Sequence, residues 1–252
     1  MSIRPTFAVA APDEYRCETL VVGLSNPGFV GVTATEYLSR HLACEEIGHV
    51  ESEDVPAIAP FAEGVPRNHT RIYDVHETPL ALVVGELFVP VWAASSFVDA
   101  LLEWADRASV DEIVVPYGIP FPHGPDEHDV FSVATESFRD RRLEPHDVRI
   151  RGLRGGVLDG IVGDLMARSL NEDAPPTGAF VTPVHPPGPD LEAVLRVIET
   201  LEAVYEFDAD EEELRRQSNE LQQYYAALAN RLDERGEDPG RTRDYPVDRS
   251  YM

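Results

Sequence analysis

Lysine is missing from this chain of 252 residues; all 21 basic residues are arginine. Schiff-base chemistry, a lysine general base and a Walker-type phosphate lysine each need a primary amine, so all three are excluded. Positive charge is scarce altogether: 46 acidic residues leave a formal net charge of -25. Binding to nucleic acid without regard to sequence draws its affinity from Lys and Arg on phosphates, so neither DNA nor RNA is expected as a partner. An anionic membrane surface is repelled for the same reason. Cysteine is scarce too, and Cys17 and Cys44 have no motif spacing. They read as reduced thiols, not as a disulfide framework. No apolar run approaches the ~18 residues of a membrane span, and no charged-then-apolar leader opens the chain. The expectation is a soluble, cytoplasmic protein.

Hydrophobic residues are not lacking. At 43% of the chain they stand near the ordinary globular share. The acid therefore coats a folded body and does not mark disorder. High salt screens such charges within a few ångströms and removes their self-repulsion. Acid excess with arginine in place of lysine reads as a halophilic cytoplasmic protein with an acidic surface.

Apolar runs set the fold class. Thr19–Leu24, Leu80–Gly85, Glu112–Tyr117 and Gly178–Pro183 read as strands buried on both faces. Cys44–Glu51, Ala57–Phe61, Arg71–His76 and Val130–Ala134 read as further strands. Helices are expected from Pro27-Gly28 to about Leu42, over residues 92–108, over Glu136–Arg142 and over Val157–Leu170. Strands alternating with helices indicate an α/β three-layer sandwich with a mostly parallel central sheet.

The C-terminal quarter differs. Pro189-Asp190 opens a helix with Val194, Leu195, Ile198, Leu201 and Tyr205 on one face. A second helix, about Glu211–Arg235, carries Leu214, Leu221, Tyr225, Leu228 and Leu232. Those positions make a narrow, coiled-coil-like seam that needs a partner. Packing on its own domain and contact between subunits both satisfy it. Beyond Gly236 the chain is rich in Pro, Arg and Asp and reads as a flexible tail. The expected organisation is an α/β domain over 1–206, a helical extension over 207–236 and a tail over 237–252.

Few residues group as chemistry requires. Ser25 follows Gly23 at a strand-to-helix turn, but Pro27 stands where a nucleophile elbow needs glycine. Backbone N–H groups at Ser25, Asn26 and Gly28 form a possible ligand turn at a helix start. With the loop over 118–129 that turn could line a cleft for a small molecule or a hydrolase. The same loop holds His123, Asp126, Glu127, His128 and Asp129, loosely spaced for a metal; a solvated acidic loop explains them equally. No catalytic residue, metal site or cofactor is assigned. Arg139, Arg141, Arg142, Arg149, Arg151 and Arg154 form the densest basic cluster and are expected to pair with nearby acids. The chain ends Ser250-Tyr251-Met252, which presents a ring, a phenol and a carboxylate together.

An ordered series of short motifs resembles the archaeal proteasome assembly chaperone family. It opens with Leu20-Val21-Val22-Gly23-Leu24 and Pro27-Gly28-Phe29-Val30-Gly31, followed by Glu36-Tyr37-Leu38. Ile47-Gly48, Val55-Pro56, Arg71-Ile72-Tyr73 and Val83-Val84-Gly85-Glu86 come next. Trp104-Ala105, Tyr117-Gly118, the stretch Gly156–Gly163 and Pro189-Asp190 complete it, so the likeness covers about residues 15–205. It implies a nucleoside-phosphorylase-like architecture without the catalytic set, homo-oligomers and no enzymatic activity. Some members end in a hydrophobic-Tyr-x tail that enters pockets between core proteasome α-subunits, its carboxylate meeting a pocket lysine. Tyr251 and Met252 fit the last two positions, and Ser250 departs from the hydrophobic one.

Overall fold

A computed structural model of the chain describes residues 5–120, 128–145, 150–171, 173–185, 189–221 and 223–224. The chain forms two compact units, Met1–Glu211 and Glu212–Met252.

The strands of the first unit, in chain order, are β1 (Thr6–Ala10), β2 (Thr19–Leu24), β3 (Cys44–Glu53), β4 (Phe61–Ala62), β5 (Val65–Pro66), β6 (Thr70–Val75), β7 (Leu80–Gly85), β8 (Glu112–Ile119), β9 (Phe131–Ala134), β10 (Arg151–Gly152) and β11 (Thr177–Pro183). Among the described residues, nine of them form one sheet in the order β1-β3-β6-β7-β2-β8-β11-β9-β10. Its centre, β7-β2-β8-β11, is parallel. Every residue of β2, β7 and β11 is buried, as the uninterrupted apolar runs require of strands covered on both faces. The flank β1-β3-β6-β7 is antiparallel, and β9 runs antiparallel to β11.

Helices cover both faces. α1 (Val30–His41) packs on α5 (Leu191–Tyr205), and α2 (Ala94–Arg107) packs on α4 (Gly160–Leu170). Alternate residues of a strand point to opposite faces. Leu20, Val22 and Leu24 of β2 accordingly share one core cluster with Phe97, Leu101 and Trp104 of α2 and Leu165 of α4. α1 lies against β2 from the other side, with Val30, Ala34 and Leu38 fully buried. Each buried Val or Leu side chain contributes about 1.5–3 kcal/mol by leaving water. The Asp190 side chain caps α5 by accepting from Ala193 N at 3.0 Å. The remaining helix, α3 (Glu136–Phe138), runs into a π turn over Arg139–Leu143. The three-layer α/β expectation thus describes the fold.

Three local readings differ. The strand expected at Ala57–Phe61 is irregular up to Phe61, because Pro56 and Pro60 deny ladder N–H groups. What forms instead is the hairpin β4–β5, with Phe61 opposite Pro66. Its turn residues Glu63 and Gly64 both have positive φ, 51° and 81°, as a tight two-residue hairpin turn requires. The helix expected from Val157 begins only at Gly160, since Gly155 and Gly156 oppose helix and Gly160 is itself left-handed at φ 59°. Finally, residues 6–10, for which the sequence suggests no element, form a strand, β1, paired to β3 from Thr6↔Glu53 to Ala10↔His49.

In the second unit, residues 212–221 are helical. Among the described residues, no helix is long and apolar enough to cross a membrane.

Candidate functional site

Several loops leave the sheet at one rim. Leu24 ends β2 beside Gly85, the last residue of β7, and Gly85 also pairs with Thr70, the first residue of β6. The turn after β2 and the segment after β7 therefore start from the carboxyl ends of central parallel strands, and the long β3–β6 connection arrives at the same rim. Ligands of open α/β sheets bind at such ends.

The turn Ser25–Phe29 is tied down from within. The Ser25 hydroxyl donates to Gly85 O at 3.2 Å and lies 3.1 Å from Glu86 O. Asn26 Oδ1 accepts from Gly118 N at 3.5 Å, and its Nδ2 donates to Pro116 O at 3.4 Å. Gly28 has φ 70°, and a Cβ there would stand 2.7 Å from Val184. Glycine is thus required both for the backbone and for the close approach. Gly28 O in turn accepts from Asp190 N at 3.1 Å. The structure brings Ser25, Asn26 and Gly28 together with Gly118, as a cleft reading expects. However, the polar atoms of Ser25 and Asn26 are engaged in joining the turn to β7 and β8. Residues 121–127 of the adjoining loop, including His123, Asp126 and Glu127, lie outside the described residues. His128 stacks edge-on to His185 at 5.1 Å, and His185 Nδ1 lies 3.0 Å from Asp190 Oδ2. Burial opposes the Asp190 charge, but the N–H groups of Ala193 and His185 outweigh it and hold the carboxyl below its usual range. No group of three or more His, Cys, Asp or Glu suited to a metal occurs among the described residues.

Beside the turn stands a box of charges. Arg71 of β6, its side chain 2% exposed, donates from Nη2 to Glu36 Oε2 at 2.7 Å and to Glu86 Oε2 at 3.1 Å. Arg67 reaches the other two oxygens, Glu36 Oε1 and Glu86 Oε1, each at 3.0 Å. Arg40, one turn along α1, also pairs with Glu36. Each carboxylate faces at least two guanidinium groups, which offsets the cost of burying them. For Glu36, burial raises the pKa, but Arg71, Arg40 and Arg67 reverse that and leave it below the ordinary value. Arg67 directly follows Pro66, so the box fastens the root of the β4–β5 hairpin to α1 and to the end of β7. Sequence spacing alone does not reveal it, because the partners lie 15 to 35 residues apart. A usable signal existed: Glu36, Arg71 and Glu86 are charges inside three of the motifs that carry the family resemblance.

The opposite end of the sheet holds a second cluster. Glu112, the first residue of β8, is fully buried. It accepts from Thr19 Oγ1 at 3.1 Å and faces Arg142 Nε at 2.8 Å. Arg142 lies over the ring of Tyr205, 4.8 Å from its centre. Arg141 pairs with Asp111 and Arg151 with Asp129, so with Arg142 three of the six Arg meet acids as expected, while Arg149 lies outside the described residues.

Of the seam residues, Leu214 is buried, and both it and Leu221 fall in the helix over 212–221. Tyr225, Leu228 and Leu232 lie outside the described residues, as do Ser250, Tyr251 and Met252.

Comparison with known proteins supplies a family. No curated protein matches the chain. Among solved structures it resembles Pyrococcus furiosus PbaA, described as an archaeal homolog of proteasome-assembly chaperone. The identity is 17%, over 91% of this chain and 94% of that one, with a TM-score of 0.79. It is also similar to P. furiosus PbaB, described as an archaeal proteasome activator, at 16% identity, 90% and 99% coverage and a TM-score of 0.75. A Thermoplasma acidophilum protein of unknown function is 24% identical over 89% of this chain and 92% of its own, with a TM-score of 0.72. These likenesses establish the fold. The PAC2 family profile matches residues 20–229, a span that includes the turn, the charge box and both helical layers. The chain therefore belongs to the PAC2 family, which is non-enzymatic.

Proposed function

We propose that this protein is a non-enzymatic, homo-oligomeric cytoplasmic chaperone or adaptor that binds the core proteasome, in assembly or docking, through its Ser250-Tyr251-Met252 end. The observation that carries the reading is the PAC2 match over residues 20–229. Two relatives support it, one described as a homolog of a proteasome-assembly chaperone and one as a proteasome activator. The charge pattern supports it as well. Residues 231–252 hold five Arg and six acids, so the tail is nearly neutral on a chain of net charge -25. A neutral end approaches another acidic surface with less repulsion than the body does. Ring burial then provides most of the affinity, because salt screens the terminal carboxylate. Of the seam Leu214, Leu221, Tyr225, Leu228 and Leu232, Leu214 is already buried in the chain, and the other four offer the oligomer a helical contact.

The test is recovery of purified core particles on the full chain in molar salt, compared with Tyr251→Ala. Recovery is expected to fall at least tenfold in the variant, in line with removal of a buried aromatic ring. Equal recovery would sink the tail mechanism, and no recovery by the wild type would sink the partner.

A further inference from the structure

Two apolar surfaces lie at opposite flanks of the sheet. The first is the β4–β5 hairpin. Its two strands pair only with each other, and such a unit is marginal in water without a partner. Cross-strand partners share a face, so Phe61 and Val65 point to opposite sides of it. Both are strikingly bare for large apolar residues, at 72% and 66% exposed. The segment 51–66 carries Glu51, Glu53, Asp54 and Glu63 and no basic residue.

The second surface is concave. A groove of about 410 Å³ opens between β9 and α4, walled by Ile119, Val133, Leu153, Val157, Met166 and Leu170. Among the described residues, no charged side chain lines it. Val157 at its lip is 92% exposed and Leu170 is 71% exposed. Arg151 and Arg154 flank Leu153, and both are exposed.

Charge selects the occupant. Where salt screens the net charge of -25, only charges in contact still count, so two copies meet best where an apolar patch faces an apolar patch and contacting charges are of opposite sign. Among the described residues the groove is uncharged, and Arg154 stands exposed at its edge beside Arg151, which pairs with Asp129; the hairpin is apolar and acidic. The hairpin leaves the sheet between β3 and β6, while the groove borders β9, five to six strands away. At ~4.8 Å per strand that separation is roughly 25 Å. Phe61 and Val157 are both exposed within the chain, so they do not meet inside it. We infer that the hairpin of one copy seats Phe61 in the α4 groove of the next, with Asp54 and Glu63 facing Arg151 and Arg154. Such an interface joins unlike surfaces head to tail and closes into a ring when its rotation permits. The inference rests on the homo-oligomer part of the proposed function and gives it a contact.

Light scattering on the full chain in molar salt tests it with two exposed-site variants, Phe61→Asp and Val157→Asp. Each is expected to fall from the wild-type oligomer to one chain, or to the smaller unit that the helical seam holds, with an unchanged far-UV spectrum. Mixing the two variants is expected to restore a one-to-one complex, because the first keeps an intact groove and the second an intact hairpin. A monomeric wild type overturns the inference. So does retention of the full assembly by both variants, or a mixture that gains no mass. Core-particle recovery is scored separately through Tyr251→Ala: its failure with the assembly intact overturns tail docking and leaves the interface standing.

Discussion

The two ends of the central sheet solve the problem of buried charge differently. At the carboxyl end, Glu36 and Glu86 share Arg67 and Arg71, and Arg40 adds a third cation to Glu36. At the amino end, Arg142 is the one counter-charge of Glu112 among the described residues, with a hydroxyl from Thr19. A shared network keeps an opposite charge beside every member after one is lost. A lone pair does not, and a buried charge stripped of its partner is costly. Redundancy, more than the number of bonds, should therefore set the tolerance of each end to substitution.

Removing the single cation is the severest way to probe this contrast. Arg142→Ala leaves Glu112 buried without a counter-charge and is expected to cost about 3–5 kcal/mol in denaturant unfolding. Arg71→Met at the other end keeps the volume apolar and leaves Arg67 and Arg40 on Glu36. Its cost should be smaller, about 1–3 kcal/mol by the same measurement. If Arg71→Met proves the more damaging, redundancy is not what protects the box.

A third arrangement, acid facing acid, sharpens the comparison through pH. Glu202 of α5 has its pKa raised from 4.5 to about 7 by burial and by the carboxylates of Glu211 and Asp208, despite an N–H bond from Ala209 at 2.7 Å. A raised acid pKa means that the folded state holds its proton longer than the unfolded chain. The associated stability is present below pH 4.5 and is lost as pH rises through about 7. Melting temperature should decline across that window, and Glu202→Gln should flatten the decline. An unchanged slope in the variant would assign the effect to other groups. The smallest effect belongs to Arg40→Ala. Its side chain is 58% exposed, and a pair so open to water contributes about 0–1 kcal/mol. A larger loss would mean that Arg40 belongs to the buried box after all.

Much of the scaffold was readable before any coordinates. β2, β7, β8 and β11 are continuous apolar runs, and buried parallel strands have few other ways to look. The buried face of α5 followed from its spacing, and Asp190 announced its cap. Failures arose where the local signal was short or opposed. β1 offered only a brief apolar piece, because a flank strand buries one side. Pro56 and Pro60 broke the strand pattern at Ala57–Phe61, and Gly155 and Gly156 delayed α4. The Ser25–Gly28 turn was found by its chemistry, yet its side chains face inward to Gly85, Glu86, Pro116 and Gly118. That orientation depends on neighbours about 60 to 90 residues away. The charge box was hidden for the same reason.

Glu36 and Tyr37 are consecutive residues of α1. Glu36 holds Arg67 at the root of the hairpin, while the Tyr37 hydroxyl donates to Asp210 O at 2.7 Å, just ahead of the junction at Glu211–Glu212. Mechanically, one rigid rod is bolted at neighbouring points to both places. A load on the hairpin root is delivered through a single helical turn to the strap that leads out of the α/β body, and neither anchorage can shift without straining the other.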